Sequence, residues 1–496
     1  MAHSFRTRRR APSALRSGVL TGGAQIVVSL AAAGAGALLA QRFGRNAKTD
    51  GFLAAYGAYL LLTFAAQAFR LVVVPDLTRA REEGRLGGET EAYGIAILSV
   101  AVPACIVVAV LSHPLGDLIT GSLPPVSAHI AGRALSVLVP AAFLQLLAAL
   151  AASALAASDS YGTAALGYAS GGLVGLAVFA ALSGRSGVVA LGWGLAANGA
   201  VALAVPLVSL VRRGVVWSPL PGRLGLGGRL RHLLEGAAVP LALQGCYLLA
   251  LRFSANLGVG RVSTFSYAYI AAATLVGATA FSLGVISSAP LTRRGVDAEA
   301  AGQHVVHAAW VSLSLVGAAA GVFAVVGGKI VHFVLGAKYG GQVGRELGHL
   351  VAYLSPWMVG WVAFAVAFPL VFVSGRKQTL IPLAAGGFLL CIPLGLGLRA
   401  LWGLQGIAIA IGLSTLAISS GLLYLISPRA LAIAAVGLGR LAIAVGGTAA
   451  LAFGGLALAL SPVAAALLGV LVYALAIAAM RSLGLSDAWA YVRGLH

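Results

Sequence analysis

From residue 15 to residue 480 the chain alternates between apolar runs of about 20 or more residues and short polar segments. A run of that length crosses a hydrocarbon layer of roughly 30 Å as an α-helix, the one form that satisfies every backbone N–H and C=O within a single segment. Of the 496 residues, 60% are hydrophobic and 9% charged, whereas soluble domains carry roughly a quarter charged residues. A soluble core has no use for so much apolar surface. The runs cover 15–41, 51–75, 93–112, 129–157, 161–183, 187–211, 233–255, 262–289, 305–327, 349–374, 378–398, 403–426, 436–458 and 461–480. The expected fold class is an all-α integral membrane protein of about 14 transmembrane helices.

The net charge of +20 would suggest nucleic acid in a soluble protein. Here the basic residues stand between apolar runs, where they set topology, and no nucleic-acid partner is expected. With the amino terminus inside, the inside segments collect 21 of the 33 Lys and Arg and the outside segments nine. That bias predicts two cytoplasmic termini in a multi-pass protein, and the composition points to a bacterial inner membrane. Arg6, Arg8, Arg9, Arg10 and Arg16 precede the first run as in a signal peptide, but the run is long and no clear cleavage site follows, so a retained first helix is expected. Cys105, Cys246 and Cys391 lie within apolar runs without CxxC spacing, which suggests neither a metal site nor a disulfide framework.

The polar connection Arg212 to His232, with Pro219 and Pro221, reads as an inside linker. A repeat strengthens that division. Phe52, Ala55 and Tyr56 are followed by Pro75 and then Leu77-Thr78-Arg79; Phe265, Ala268 and Tyr269 are followed by Pro290-Leu291-Thr292-Arg293. Six runs separate the copies, so both have one orientation, which implies a parallel repeat about an axis along the membrane normal. The expected organisation is a basic segment 1–14, a six-helix lobe 15–211, a linker 212–232, a second six-helix lobe 233–426, an extra helix pair 436–480 and a cytoplasmic tail 481–496.

The stretch Ala40-Gln41-Arg42-Phe43-Gly44, followed by Thr49-Asp50, Phe52 and Ala55, with Phe64-Ala65 and Phe69 ahead of Val74-Pro75, resembles the opening of MviN/MurJ-type lipid II flippases. Those belong to the multidrug/oligosaccharidyl-lipid/polysaccharide exporter superfamily. The resemblance implies two facing lobes around a central cavity, a lipid-linked glycan as cargo, and a groove for its tail beside the extra helix pair. It also implies a link to peptidoglycan synthesis and cell-wall proteins. Flippases of that type carry cavity arginines on their first, second and eighth helices. The aligned positions here hold Ser29, Ala35, Leu61, Leu62 and Ile270, with Ala273 in place of a glutamate, while the family's Asp is kept as Asp50.

Polar residues inside apolar runs are the natural site candidates, because a charge in lipid costs about 2.5–3.5 kcal/mol on insertion scales and usually faces a cavity. Arg70 and Arg252 would bind a phosphate oxygen through a planar charged fork, or snorkel to the interface. Gln67, Gln145, Asn198 and Gln244 would hydrogen-bond sugar hydroxyls, or join neighbouring helices. Asp50 opens the second helix as a cap or a transport residue, and Arg133 and Glu235, near helix starts, are gate candidates or ordinary boundary charges. Pro103, Pro140, Pro206, Pro240 and Pro369 should interrupt helices, and His304 and His307 should mark a helix edge. No Walker loop, His-Glu-x-x-His or nucleophile elbow is present, so the expectation is a transporter, not an enzyme, without cofactor or metal. An ion gradient or the membrane potential would drive it. The leading function is flipping of a polyprenyl-diphosphate-linked glycan; the rivals are export of another amphiphile and a non-transporting scaffold for cell-wall enzymes.

Overall fold

The computed structural model describes residues 14–215, 225–294, 298–373 and 377–480. In chain order the helices are α1 Ala14–Phe43, α2 Ala47–Glu82, α3 Leu86–Val110, α4 Ser112–Thr120, α5 Pro125–Ala157, α6 Tyr161–Ser186, α7 Ala190–Arg212 and α8 Leu226–Ala255. They continue as α9 Arg261–Arg294, α10 Ala298–Leu335, α11 Gly341–Tyr353, α12 Ser355–Val373, α13 Leu380–Ile426, α14 Pro428–Ala449, α15 Gly455–Ala457 and α16 Pro462–Ala479. No strand occurs among the described residues, and the all-α class expected from the apolar runs holds. Among those residues nine stretches are long and apolar enough to cross a membrane, or ten when the bent pair α11 and α12 counts as one.

Each expected run overlies a helix, with differences that have local causes. The stretches 161–212 and 380–426 are each far longer than one crossing. The first breaks at Gly187 and the second at Trp402–Gly403, where φ values of 60° and 56° put glycine in the left-handed region. The run expected at 349–374 is bent by 43° between α11 and α12. The run expected at 436 begins earlier, at Pro428, because the Ser427 side chain accepts from the N–H of Arg429 and a proline is tolerated in the first turn. The five prolines expected to interrupt helices lie inside the continuous helices α3, α5, α7, α8 and α12. Neighbouring helices re-satisfy freed backbone groups in a membrane bundle, so a proline there need not end a helix.

Helices α1 to α7 pack mostly among themselves, led by α2 on α5, α6 on α7 and α5 on α7. Helices α8 to α13 do likewise through α8 on α13, α12 on α13 and α9 on α12, while α14 and α16 lie against α10. The principal pairing between the two groups is α2 with α8. Short helices occupy matching places in the chain order, α4 between α3 and α5 and α11 between α10 and α12.

Small residues permit the close packing, as membrane bundles require when apolar burial supplies no drive between helices. At Gly51 a Cβ would fall well inside contact distance of the Ser127 carbonyl, where α2 meets the start of α5. The neighbouring Ser127 hydroxyl donates to the Ala47 carbonyl at 2.8 Å. Gly51→Val is expected to destabilise the fold by about 1–3 kcal/mol, read as a lowered unfolding temperature in detergent; an unchanged transition would show that α5 shifts at no cost.

Candidate functional site

Three layers of side chains join the two groups of helices along α2 and α8. At one end Asp50, completely buried, accepts hydrogen bonds from the backbone N–H of Gly260 and, at 2.9 Å, of Ser263. These are the donors that the start of α9 leaves without intrahelical partners. Asp50 is thus a cap, but of a helix 210 residues away in the chain; the start of its own helix is capped by the Asn46 side chain, which accepts from Lys48 and Thr49. Arg45 completes the joint, donating through Nε to the Gly260 carbonyl at 2.9 Å and to Thr264 Oγ1 at 3.1 Å. Around it Ser122 donates to Asn256 Oδ1 at 3.1 Å, Gln41 to the Val334 carbonyl at 2.9 Å, and Arg261 pairs with Glu346.

The middle layer is aromatic. On α2, Phe52, Tyr56 and Tyr59 stack in sequence, with centroids 6.3 and 5.6 Å apart. Tyr247 of α8 stacks on Tyr269 of α9 at 3.9 Å, Tyr269 meets Trp357 of α12 at 4.8 Å, and the series continues through Trp361, Phe364 and Phe368. Phe64 of α2 touches Trp361 edge-on at 5.2 Å. Amides and hydroxyls supply the polarity. Gln244 Nε2 donates to Tyr269 Oη at 3.2 Å, Tyr247 and Ser266 hydroxyls lie 2.8 Å apart, and Gln145 is within hydrogen-bonding reach of the Tyr59 hydroxyl. The Gln244 amide oxygen is buried and has no hydrogen-bond partner among the described residues.

At the opposite end Glu89 of α3 and Arg229 of α8 form a buried ion pair. Arg229 donates through Nη2 to both carboxylate oxygens at 2.9 Å and through Nε to one at 3.1 Å. The two residues are 8% and 5% exposed, so solvent does not screen them. The guanidinium lies 5.5 Å from the centre of the Tyr93 ring, and the Tyr93 hydroxyl donates to Asp76 of α2 at 2.7 Å. His232 Nδ1 stands 3.7 Å from the same Asp76 carboxylate. Three helices, α2, α3 and α8, therefore converge on one polar knot.

The sequence-based candidates divide among these layers and the periphery. Asp50 lies in the first layer, Gln145 and Gln244 in the second. Glu235, buried, pairs with Arg231 at 2.9 Å one turn away on α8. Arg252 donates to Asn256 at 2.7 Å and packs over Gly121 at the end of α4, so it stands at a helix boundary and apart from the aromatic layer. Arg70 is within electrostatic range of Tyr168 of α6, and Asn198 lies against Gly171 and Gly175, between α6 and α7. Arg133 is exposed near the start of α5. The Gln67 side chain lies outside the described residues, as do those of Thr292 and Arg293, the segment 216–224 of the linker and both chain ends. His304, expected at a helix edge, is buried within α10, because its face of that helix packs inward. Among the described residues no group of His, Cys, Asp and Glu has the geometry of a metal site.

Sequence reasoning missed Glu89, Arg229 and Arg45. The available signal was scarcity: with only 13 acidic residues in the chain, a glutamate at the head of an apolar helix merits a partner.

The fold and its layers define a multi-pass membrane protein whose two groups of helices are joined at both ends and through an aromatic middle. No protein-family model and no curated protein matches the sequence. Solved structures do match the fold. A lipid II flippase MurJ in an inward closed conformation superposes with a TM-score of 0.70 at 14% identity, over 94% of this chain and 99% of that one. An inward-facing multidrug resistance MATE family transporter of the MOP superfamily gives 0.62 at 14% identity, over 84% and 94%. The eukaryotic MATE transporter AtDTX14 gives 0.56 at 14% identity, over 86% and 99%. The chain has the fold shared by these flippases and exporters, as the opening motif implied.

Proposed function

We propose that the protein is a transporter that carries an amphipathic molecule across a bacterial cytoplasmic membrane by opening its two ends in turn, both termini being cytoplasmic. Residues 15–211 and 233–426 act as the two lobes, and α14 and α16 lie against the second. The observation that carries this reading is the pair of polar joints at opposite ends of the α2–α8 contact, Asp50 on the start of α9 and Glu89 on Arg229. The first joins one lobe to the other, the second ties the first lobe to the start of α8, which leads into the second lobe, and between them lies an aromatic layer with few hydrogen bonds to break. Two discrete latches on a common hinge are what alternate opening needs.

The leading cargo is a lipid-linked glycan. When the buried aromatic layer opens, its tyrosine and tryptophan faces would receive sugar rings and the Gln244 and Gln145 amides would match hydroxyls, and the resemblance to MurJ supports the choice. A second reading, export of an uncharged or cationic amphiphile, is favoured by Ser29, Ala35, Leu61, Leu62 and Ile270 at the positions where the family carries arginines. The test is lipid II translocation in cells depleted of their own flippase. Rescue is expected, with Gln244→Ala reducing the rate about tenfold through loss of one buried hydrogen bond, and with Arg252→Ala near wild type. Absence of rescue by well-folded protein would reject lipid II and leave the second reading.

A further inference from the structure

At the end of the molecule that carries Glu89 and Arg229, a groove of about 450 Å³ opens between the first turn of α6 and the last turns of α7. Its walls combine Val205 and Val208 with the hydroxyl-bearing Thr163 and Ser209, and Arg212 and Arg213 close it. The arginine positions are partly fixed: Arg213 Nη2 donates to Ser160 Oγ at 2.7 Å. No acidic residue lines the groove among the described residues, and the nearby Asp159 is engaged by Arg81 at 2.8 Å. Leu166, Val208 and Val211 beside it are 56%, 50% and 56% exposed, which in a membrane-spanning chain is a face turned to acyl chains. Tyr161, half exposed at the start of α6, has the amphipathic ring that settles at headgroup level.

Basic residues in the last turn of a helix are ordinarily explained by the macrodipole. That account leaves out the groove, the two hydroxyls on facing helices and the lipid-facing apolar wall. Two adjacent guanidiniums at headgroup depth, above an apolar channel, match a phosphodiester carrying acyl chains, since arginine binds phosphate oxygens through paired N–H donors. Basic pockets between helices at a membrane surface recognise anionic lipid heads on the same principle.

We propose that this groove binds an acidic phospholipid, with the phosphate on Arg212 and Arg213, assisted by Thr163 and Ser209, and one acyl chain along Val205 and Val208. The lipid bridges α6 and α7 where the chain leaves the first group of helices. The site is remote from the aromatic layer and its occupancy does not depend on what the protein transports.

The test uses the full-length protein in neutral detergent, with unfolding followed by tryptophan fluorescence after adding phosphatidylglycerol or phosphatidylcholine of identical chains. Phosphatidylglycerol is expected to raise the transition by about 3–5 °C more than phosphatidylcholine. Arg212→Gln/Arg213→Gln should lose most of that difference, and Arg185→Gln, at the far end of α6, should keep it. Arg212→Gln alone, which leaves the Arg213–Ser160 contact intact, gives the same reading if the double variant folds poorly. An undiminished difference in these variants, or equal stabilisation by inorganic phosphate, would overturn the proposal.

Discussion

Replacing Asp50 with alanine is expected to open the Asp50 end of the molecule and to stop transport. The carboxylate is buried and holds two N–H groups at the start of α9. Hydrogen bonds to a charged group contribute about 1.5–3 kcal/mol each, so the closed state at this end should lose at least about 3 kcal/mol. That changes the ratio of closed to open by roughly a hundredfold. Arg45, bound to the Gly260 carbonyl and Thr264, loses the nearby negative charge as well, and its own contacts should loosen. Asp50→Asn keeps an amide oxygen that accepts one bond and should fall between the two. Spin labels at Lys48 and Val259, both exposed, in a background lacking the three native cysteines, would read the separation of α2 from the start of α9. A wider distribution in Asp50→Ala is the expected result. An unchanged distribution with normal transport would reduce Asp50 to a dispensable cap.

The parts of this arrangement that were legible in the sequence are those with a short period or a local pattern. Apolar runs located the long helices, and the repeated aromatic-x-x-Ala-Tyr step marked α2 and α9. Its aromatics, Phe52, Tyr56, Phe265 and Tyr269, form much of the middle layer. The short helix α4, of 9 residues, was invisible to a reading based on runs long enough to span a membrane, and α11, of 13 residues, was merged with α12 into one run. Asp50 stood out as an acid at a helix start, yet its partners lie 210 and 213 residues away, beyond any spacing rule. The same holds for Glu89 and Arg229, separated by 140. Arg252 illustrates the reverse case: within its run it read equally as a phosphate ligand or as a boundary residue, and it stands at the helix end, where it donates to Asn256 and lies against Gly121. A charge's position along a run limits its depth without fixing its direction.

Breaking the Glu89–Arg229 pair is expected to have the opposite effect to Asp50→Ala, releasing the other end. Removing one partner of a buried pair costs about 3–5 kcal/mol, because the remaining charge stays desolvated and uncompensated. Glu89→Gln removes the carboxylate to which the Arg229 guanidinium donates three hydrogen bonds, and Arg229→Gln removes that guanidinium from Glu89. Either should favour separation of α3 from α8 by two orders of magnitude or more, and turnover should fall because the cycle can no longer return to the closed state at that end. Glu89→Gln/Arg229→Leu removes both charges and should cost less than either single change, which a double-mutant cycle would register as a coupling of at least about 2 kcal/mol. The decisive comparison combines the two ends. If the joints oppose each other across one hinge, Asp50→Ala and Glu89→Gln shift the conformational balance in opposite directions, and the combined variant returns toward the wild-type balance while unfolding at lower temperature. Shifts in the same direction, or additive loss without compensation, would mean that the two joints are independent structural ties, and the alternating mechanism would have to be abandoned.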